Sequence, residues 1–303
     1  MKRFIRKIIA YFGYDFVKIM PTSLKKETVT RVGKFDLVLP SYNPLTKTYH
    51  SQPEFAAEIS RLTLSVLSKY PDLVFLDVGA NAGDTIARVK SVADIPVISI
   101  EGDDISFGYL SKNVRQFSQV KIFKHFLGEK EEEITADLEK KGWNTTIVPS
   151  SKSKNMIAIR TLDKVLQENV LLQRNLKIFK VDTEGFDTII IRGSKEYIRI
   201  ARPVIYLEFN WDNMNAIGEN GLNTILALRE AGYHKILFFD DKGKYILTTD
   251  LDNKELIQSL SEYADGKTGL IYYYNLCLVH EEDDDIVSKI ELGERIAGTE
   301  PSA

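Results

Sequence analysis

Thiol chemistry is nearly absent from this chain. Its 303 residues hold one cysteine, Cys277. No internal disulfide can form, which suits a reducing compartment. Cys277 lies within the apolar run 270–279, where a core role fits it better than that of a nucleophile. Long hydrophobic runs are missing too, and no segment approaches the roughly 18–20 apolar residues of a membrane-spanning helix. No sign of charge dominates: 40 Lys+Arg against 43 Asp+Glu give a net charge of −3. Nothing in that balance draws the chain to nucleic acid. There is no internal repeat, no low-complexity linker and no metal-ligand spacing around His50, His234 or His280. The glycine pattern lacks both G-x-G-x-x-G and the Gly-Lys-Ser/Thr of a P-loop, so no phosphate cradle is written into it.

What is present is an ordinary globular composition, 44% hydrophobic and 27% charged. The first twelve residues interleave Phe4, Ile5, Ile8, Ile9 and Phe12 with Lys2, Arg3, Arg6 and Lys7. Arg6 and Lys7 interrupt the apolar core that a signal peptide needs, and no small-residue cleavage site follows. The expectation is a cytoplasmic protein with an amphipathic N-terminal helix. That helix either packs on the domain or a partner chain, or makes peripheral contact with an anionic membrane through residues 1–12. Residues 29–50 read as an extended hairpin turning at Pro40–Pro44, and 53–69 as a helix on the face Phe55, Ile59, Leu62, Val66.

A regular alternation follows. Short apolar runs at 73–76, 97–100, 120–123, 178–181 and 204–207 predict buried parallel strands. Helical segments fit near 83–93, 104–116, 162–173, 186–199 and 222–231. The pattern is that of an α/β, Rossmann-like protein with a central, mostly parallel sheet. Late strands near 235–239 and 269–279 would make an antiparallel edge. Three regions result: an N-terminal helix and hairpin extension (1–52), the main domain (53–280) and an acidic, flexible tail (281–303). The excursion 128–161 is long enough to be a lid over a site.

The first strand runs into Asp77-Val78-Gly79-Ala80-Asn81-Ala82-Gly83-Asp84. Ligands of such sheets bind beyond the carboxyl ends of the strands. Gly79 permits a tight turn, Asn81 tolerates a left-handed one, and Gly83 lets the next helix approach. The second strand ends in Glu101, 24 residues after Asp77, where a carboxylate can accept hydrogen bonds from both hydroxyls of a ribose. Glycine turn and carboxylate together point to a nucleoside ligand.

With those residues in place, Phe75 to Asp84 resembles the first motif of FkbM-type methyltransferases. Leu162-Asp163 is similar to their Leu-Asp element, Lys180-Val181-Asp182-Thr183-Glu184-Gly185 to their K-x-D-x-E-G motif, and Arg202-Pro203 through Glu208 to the strand after it. The resemblance spans roughly residues 70–240. It implies a class I methyltransferase fold, S-adenosylmethionine as cofactor, and O-methylation of sugars, glycans or related small metabolites. The sequence departs from the family at Gly102, where a proline is usual, and at His125-Phe126, where a small residue usually precedes Leu-Gly.

The chemistry of the residues agrees with that expectation. The cofactor's sulfonium is a cation and favours nearby carboxylates such as Asp77 and Asp182. Gly79, Ala80, Asn81 and Gly83 would serve the methionine carboxylate at a helix N-terminus, Glu101 the ribose, and Phe126 or Leu127 the adenine. An alcohol acceptor must lose a proton, and Asp182, Glu184 and Glu208 are the candidate bases, unless a divalent metal acidifies the hydroxyl instead; the base reading has no metal. His125, Trp143 and Trp211 are candidates for holding the acceptor. Two other classes remain open at this point: a non-catalytic scaffold that binds S-adenosylmethionine or a partner protein, and a nicotinamide-dependent oxidoreductase, against which the first glycine turn argues.

Overall fold

The computed structural model describes residues 26–141, 144–149, 153, 155–264 and 271–299. The basic N-terminal segment and Trp143 lie outside the described residues.

The chain opens with a two-stranded hairpin, β1 (Glu27–Val32) and β2 (Phe35–Pro40). Its turn is at Gly33, where φ is +56° and a side chain would collide with Ser91 Oγ. The Pro40–Pro44 stretch expected to turn the hairpin instead starts a helix, α1 (Pro44–Ser51), capped by the Asn43 side chain accepting from Leu45 N. Proline at the first helical position needs no N–H partner, so it begins a helix as readily as it makes a turn. Helix α2 (Ala57–Leu67) follows.

The main body then alternates as expected. β3 (Val74–Val78), α3 (Asp84–Val92), β4 (Val97–Ile100), α4 (Asp104–Asn113) and β5 (Val120–Phe123) make the first half. After the excursion come α5 (Leu162–Glu168) and β10 (Leu176–Val181). The predicted helix over 186–199 is two helices, α6 (Asp187–Arg192) and α7 (Lys195–Ala201), broken at Gly193, where a side chain would strike the Gly128 carbonyl. β11 (Val204–Phe209), α8 (Trp211–Ala216) and α9 (Gly221–Ala227) complete the second half.

The excursion is itself a small sheet. β6 (Phe126–Leu127), β7 (Glu132–Lys141), β8 (Asn144–Pro149) and β9 (Met156–Arg160) are ordered β6-β9-β7-β8. At the C-terminal end, β12 (Tyr233–Phe239), β13 (Tyr245–Asp250), α10 (Lys254–Tyr263), β14 (Tyr274–His280) and α11 (Asp284–Thr299) follow.

The main sheet has eight strands in the order β13-β12-β14-β11-β10-β3-β4-β5. β11, β10, β3, β4 and β5 are parallel. β14 is antiparallel to both β11 and β12, so it sits inside the sheet and β12 runs with the parallel strands. The late strands thus form the expected antiparallel edge, with an outermost strand, β13, that the sequence pattern did not announce. Side chains alternate between two cores. Leu76 and Val78 face α5, α6 and α7, while Phe75, Ile178 and Val204 face α2, α3 and α11. The acidic tail expected to be flexible is instead α11. Ile286, Val287 and Ile290 are buried against that second core, and Arg61 of α2 holds Glu294 with two hydrogen bonds of 2.8 and 2.6 Å. Asp284 and Asp285 stand in its first turn, where the helix dipole favours negative charge.

Candidate functional site

The carboxyl ends of β3, β4, β10 and β11 open into one cleft of about 530 Å³, within the range of small-molecule sites. The parallel order places the ends of neighbouring strands together, so residues far apart in sequence meet there.

The β3 turn forms one wall. Gly79 N and Ala80 N donate to Ile100 O at 2.9 and 3.1 Å. Gly79 has φ +79°, and a Cβ on it would lie 1.8 Å from the Asp182 carbonyl oxygen. The turn after β3 thus packs directly on the turn after β10, and only glycine permits it. Asn81, at φ +48°, donates its N–H to Glu101 Oε2 at 2.8 Å, and Asp103 N donates to Glu101 Oε1 at 2.8 Å. Each oxygen keeps a lone pair for a ligand. Burial pushes the Glu101 carboxyl up to about 7, against these two backbone hydrogen bonds. Ala80 is buried behind the turn and Gly83 caps α3 at φ +93°; neither lines the cleft.

The two departures from the family pattern meet in space. The Phe126 ring lies against Gly102, with its atoms 2.3–2.7 Å from where a Cβ would be. A residue with a side chain at 102 and a large one at 126 cannot coexist in this geometry. Both line the cleft beside Glu101, as do Leu127 and His125.

The opposite wall comes from the turn after β10. Lys180 is buried, with Nζ 3.3 Å from Asp77 Oδ1 and 3.4 Å from Asp182 Oδ2. Asp77 is fully buried and does not line the cleft; it acts on the site through Lys180. Burial raises its pKa to about 6, against the attraction of Lys180. Glu184 takes the left-handed conformation at φ +55° and Gly185 follows at φ +100°. Asp187, which sequence reasoning passed over, holds this turn: its carboxylate accepts from Thr183 N and Gly185 N, both at 3.1 Å. Burial, then the charge of Asp182, pushes Asp187 up to about 7. Glu184 Oε2 accepts from Asn213 Nδ2 at 2.8 Å, and burial, then Asp182 and Asp187, raise its pKa to about 7. Glu208, on β11, has a raised pKa from burial and from Asp182, Glu184 and Asp187. Its Oε2 is shut off from solvent and has no hydrogen-bond partner among the described residues.

Asp182, Glu184 and Glu208 therefore share the cleft with Gly79, Asn81, Glu101, Phe126 and Leu127. Trp211 does not join them. Asn210 accepts from Asn213 N at 3.3 Å and starts α8, which leaves Trp211 half-buried outside the cleft and brings Asn213 into it. Aromatic lining comes instead from Tyr272 and Tyr273, just before β14, a run of three tyrosines visible in the sequence. Pro44, Leu45, Thr48 and Phe55 of the N-terminal extension also line it, and Tyr49 of α1 donates to Asp84 Oδ2 at 3.0 Å. The excursion contributes Thr145, whose hydroxyl donates to Asp103 Oδ2 at 3.1 Å, and Ile147. Among the described residues no three His, Cys, Asp or Glu side chains are grouped to hold a metal ion. Nor, among them, is any helix long and apolar enough to cross a membrane.

A family model described as the Methyltransferase FkbM domain matches residues 77–235, more than half of the chain. No curated protein sequence matches the chain. Solved structures that resemble it include precorrin-6y C5,15-methyltransferase from Geobacter metallireducens, 12% identical, covering 72% of this chain and 87% of that one with a TM-score of 0.37. A SAM-dependent methyltransferase from Aquifex aeolicus is 14% identical over 79% of this chain and 100% of that one, with a TM-score of 0.37. The plantazolicin methyltransferase in complex with SAH is 10% identical over 78% and 91%, with a TM-score of 0.39.

Proposed function

The chain belongs to the FkbM methyltransferase family and is an S-adenosylmethionine-dependent methyltransferase; from that premise we propose that it transfers the methyl group to a hydroxyl of a sugar, glycan or related small metabolite. The observation that carries this reading is the meeting of two half-sites in one cleft. A glycine turn and a buried carboxylate that suit a nucleoside lie on one side, and a carboxylate cluster that suits proton removal lies on the other.

The residues fit the cofactor. The Gly79–Asn81 turn would hold its methionine portion, Glu101 the ribose hydroxyls, and Phe126 and Leu127 the adenine. When bound, S-adenosylmethionine supplies the electrophilic methyl group. The chain's own part is to align and deprotonate the acceptor. Glu184 suits the base: its Oε2 is fixed by Asn213, it lines the cleft, and a pKa of about 7 gives both the basicity and the ionised fraction needed near neutrality. Asp182 is held by Lys180, and Glu208 completes the cluster.

The test begins with calorimetry. S-adenosylmethionine and S-adenosylhomocysteine should bind and NAD should not. Glu101→Ala should weaken both adenosyl ligands roughly ten- to hundredfold, as expected for hydrogen bonds to a charged group. A panel of sugars with free hydroxyls is then screened for methylated product by mass spectrometry. Glu184→Gln should lower kcat by roughly 10²–10⁴, the usual worth of a general base. Product formed at unchanged rate by that variant removes Glu184 from the role. A folded protein that binds no adenosyl ligand overturns the assignment of Glu101 and the Gly79 turn.

A further inference from the structure

The acceptor end of the cleft carries a charge imbalance that a neutral sugar does not answer. Lys180 is the only lysine or arginine among the described residues that line the cleft, and it is already spent between Asp77 and Asp182 at 3.3 and 3.4 Å. Glu184 has one partner, the Asn213 amide. Glu208 interacts with the Asn210 side chain, but its Oε2, closed off from solvent, has no partner among the described residues. A carboxylate held this far from water is costly to ionise unless a cation meets the part of it that lines the cleft. Among the described residues an anionic acceptor, such as a phosphorylated or carboxylated one, finds no free cation and meets three carboxylates. Tyr273 stands near enough to Glu208 to feel its charge, and Tyr272, which is 57% exposed, lines the same cleft. Carboxylate and aromatic ring together are the two groups that hold an ammonium ion.

We propose that the acceptor bears an ammonium group beside its hydroxyls, as an amino sugar does, and that Glu208, with Tyr272 and Tyr273, binds that ammonium while Glu184 faces the hydroxyl. This rests on the reading of the cleft as a methyltransferase site. It makes Glu208 a residue that selects the acceptor and orients it. Ammonium binding also favours the ionised form of Glu208, so it releases a proton.

The test uses the full chain saturated with S-adenosylhomocysteine. Triglucosamine and its triacetylated form share a backbone and differ at nitrogen, an ammonium in one and a neutral, bulkier acetamide in the other; each is titrated by calorimetry in two buffers of different ionisation enthalpy. Triglucosamine should bind at least about tenfold more tightly, as a close charge pair in a desolvated site allows, with proton release. Glu208→Gln keeps the size and removes the charge. It should abolish both the preference and the proton release while S-adenosylhomocysteine affinity stays within about twofold. Equal binding of the two trisaccharides, no binding of triglucosamine, or a preference that survives in Glu208→Gln overturns the proposal: the cluster then serves the cofactor's own cation or takes up protons. Failure of S-adenosylhomocysteine itself to bind strikes the cofactor site instead, and so is told apart.

Discussion

Single residues in this site are set by what their neighbours leave room for. Gly102 and Phe126 show it most directly. Each alone departs from the family pattern, and the sequence offered no reason to connect them, because they are 24 positions apart and on different strands' ends. In the structure the ring fills the place of the missing side chain. Gly102→Ala should therefore push the Phe126 ring into the cleft and weaken S-adenosylhomocysteine binding, at a cost of about 1–3 kcal/mol typical of overpacking. With Phe126→Ala, which itself removes a wall of the adenine site, the double variant should lose less than the sum of the two single losses, and calorimetry on the two single variants and the double one measures the coupling. Additive losses would mean the two positions are independent. Other roles were legible because they depend on local chain geometry: Gly79, Asn81 and Glu101 follow from a strand, a turn and a strand end. Asp187 was hidden because its function, accepting two backbone N–H groups from the preceding turn, gives no periodic signal.

Elements were legible where burial forces a pattern. Four of the five parallel strands, β3, β4, β10 and β11, are buried along nearly their whole length and read as near-continuous apolar runs, while β5 at the sheet edge is only partly buried. β7 and β13 have one or both faces toward solvent, and the acidic run near Glu131 reads as a turn. The terminal helix α11 was obscured in a similar way. Its apolar stripe Ile286, Val287 and Ile290 is short and sits behind Glu281 to Asp285, which looks like a solvated tail. Yet α11 closes the second core, and its pairing with α2 can be weighed. Glu294 is 3% exposed and Arg61 29%, so Arg61→Ala leaves a buried carboxylate with its partner gone. The expected loss is on the order of 2–3 kcal/mol, below the full worth of a buried pair because Arg61 reaches solvent. Urea unfolding measures it. A change under about 0.5 kcal/mol, the range of ordinary surface substitutions, would show that α11 is held by its apolar stripe alone.

At the scale of the whole molecule, the fold stores carboxyl groups away from water on both sides of the sheet. Glu101 and Glu184 line the cleft and Asp187 is buried behind its turn, each raised to about 7, and Asp77 behind the cleft is raised to about 6. Glu58 of α2 is in the opposite core. It accepts from Tyr206 Oη at 3.1 Å, presses against Gly243, and burial raises it to about 7. Each of these groups binds its proton more tightly in the folded chain than in the unfolded one. Their contribution to stability is therefore complete below the ordinary carboxylate range and is lost as pH climbs through about 7. The depressed carboxyls Glu131, Glu219 and Asp285 act below that range, so they are constant above it. His125 and His280, lowered chiefly by burial, work the other way, but their effect is complete once the pH passes about 6.5. These raised carboxyls, with Glu208 among them, outweigh two histidines, so Tm should fall between about pH 5 and pH 8. Glu58→Gln can keep the contact with Tyr206 and cannot ionise, so it should flatten part of that fall without touching the cleft. Scanning calorimetry across the range decides it. A Tm that rises through it would mean that water or rearrangement relieves these carboxyls in the folded chain, and the cleft's near-neutral base would lose its physical ground with them.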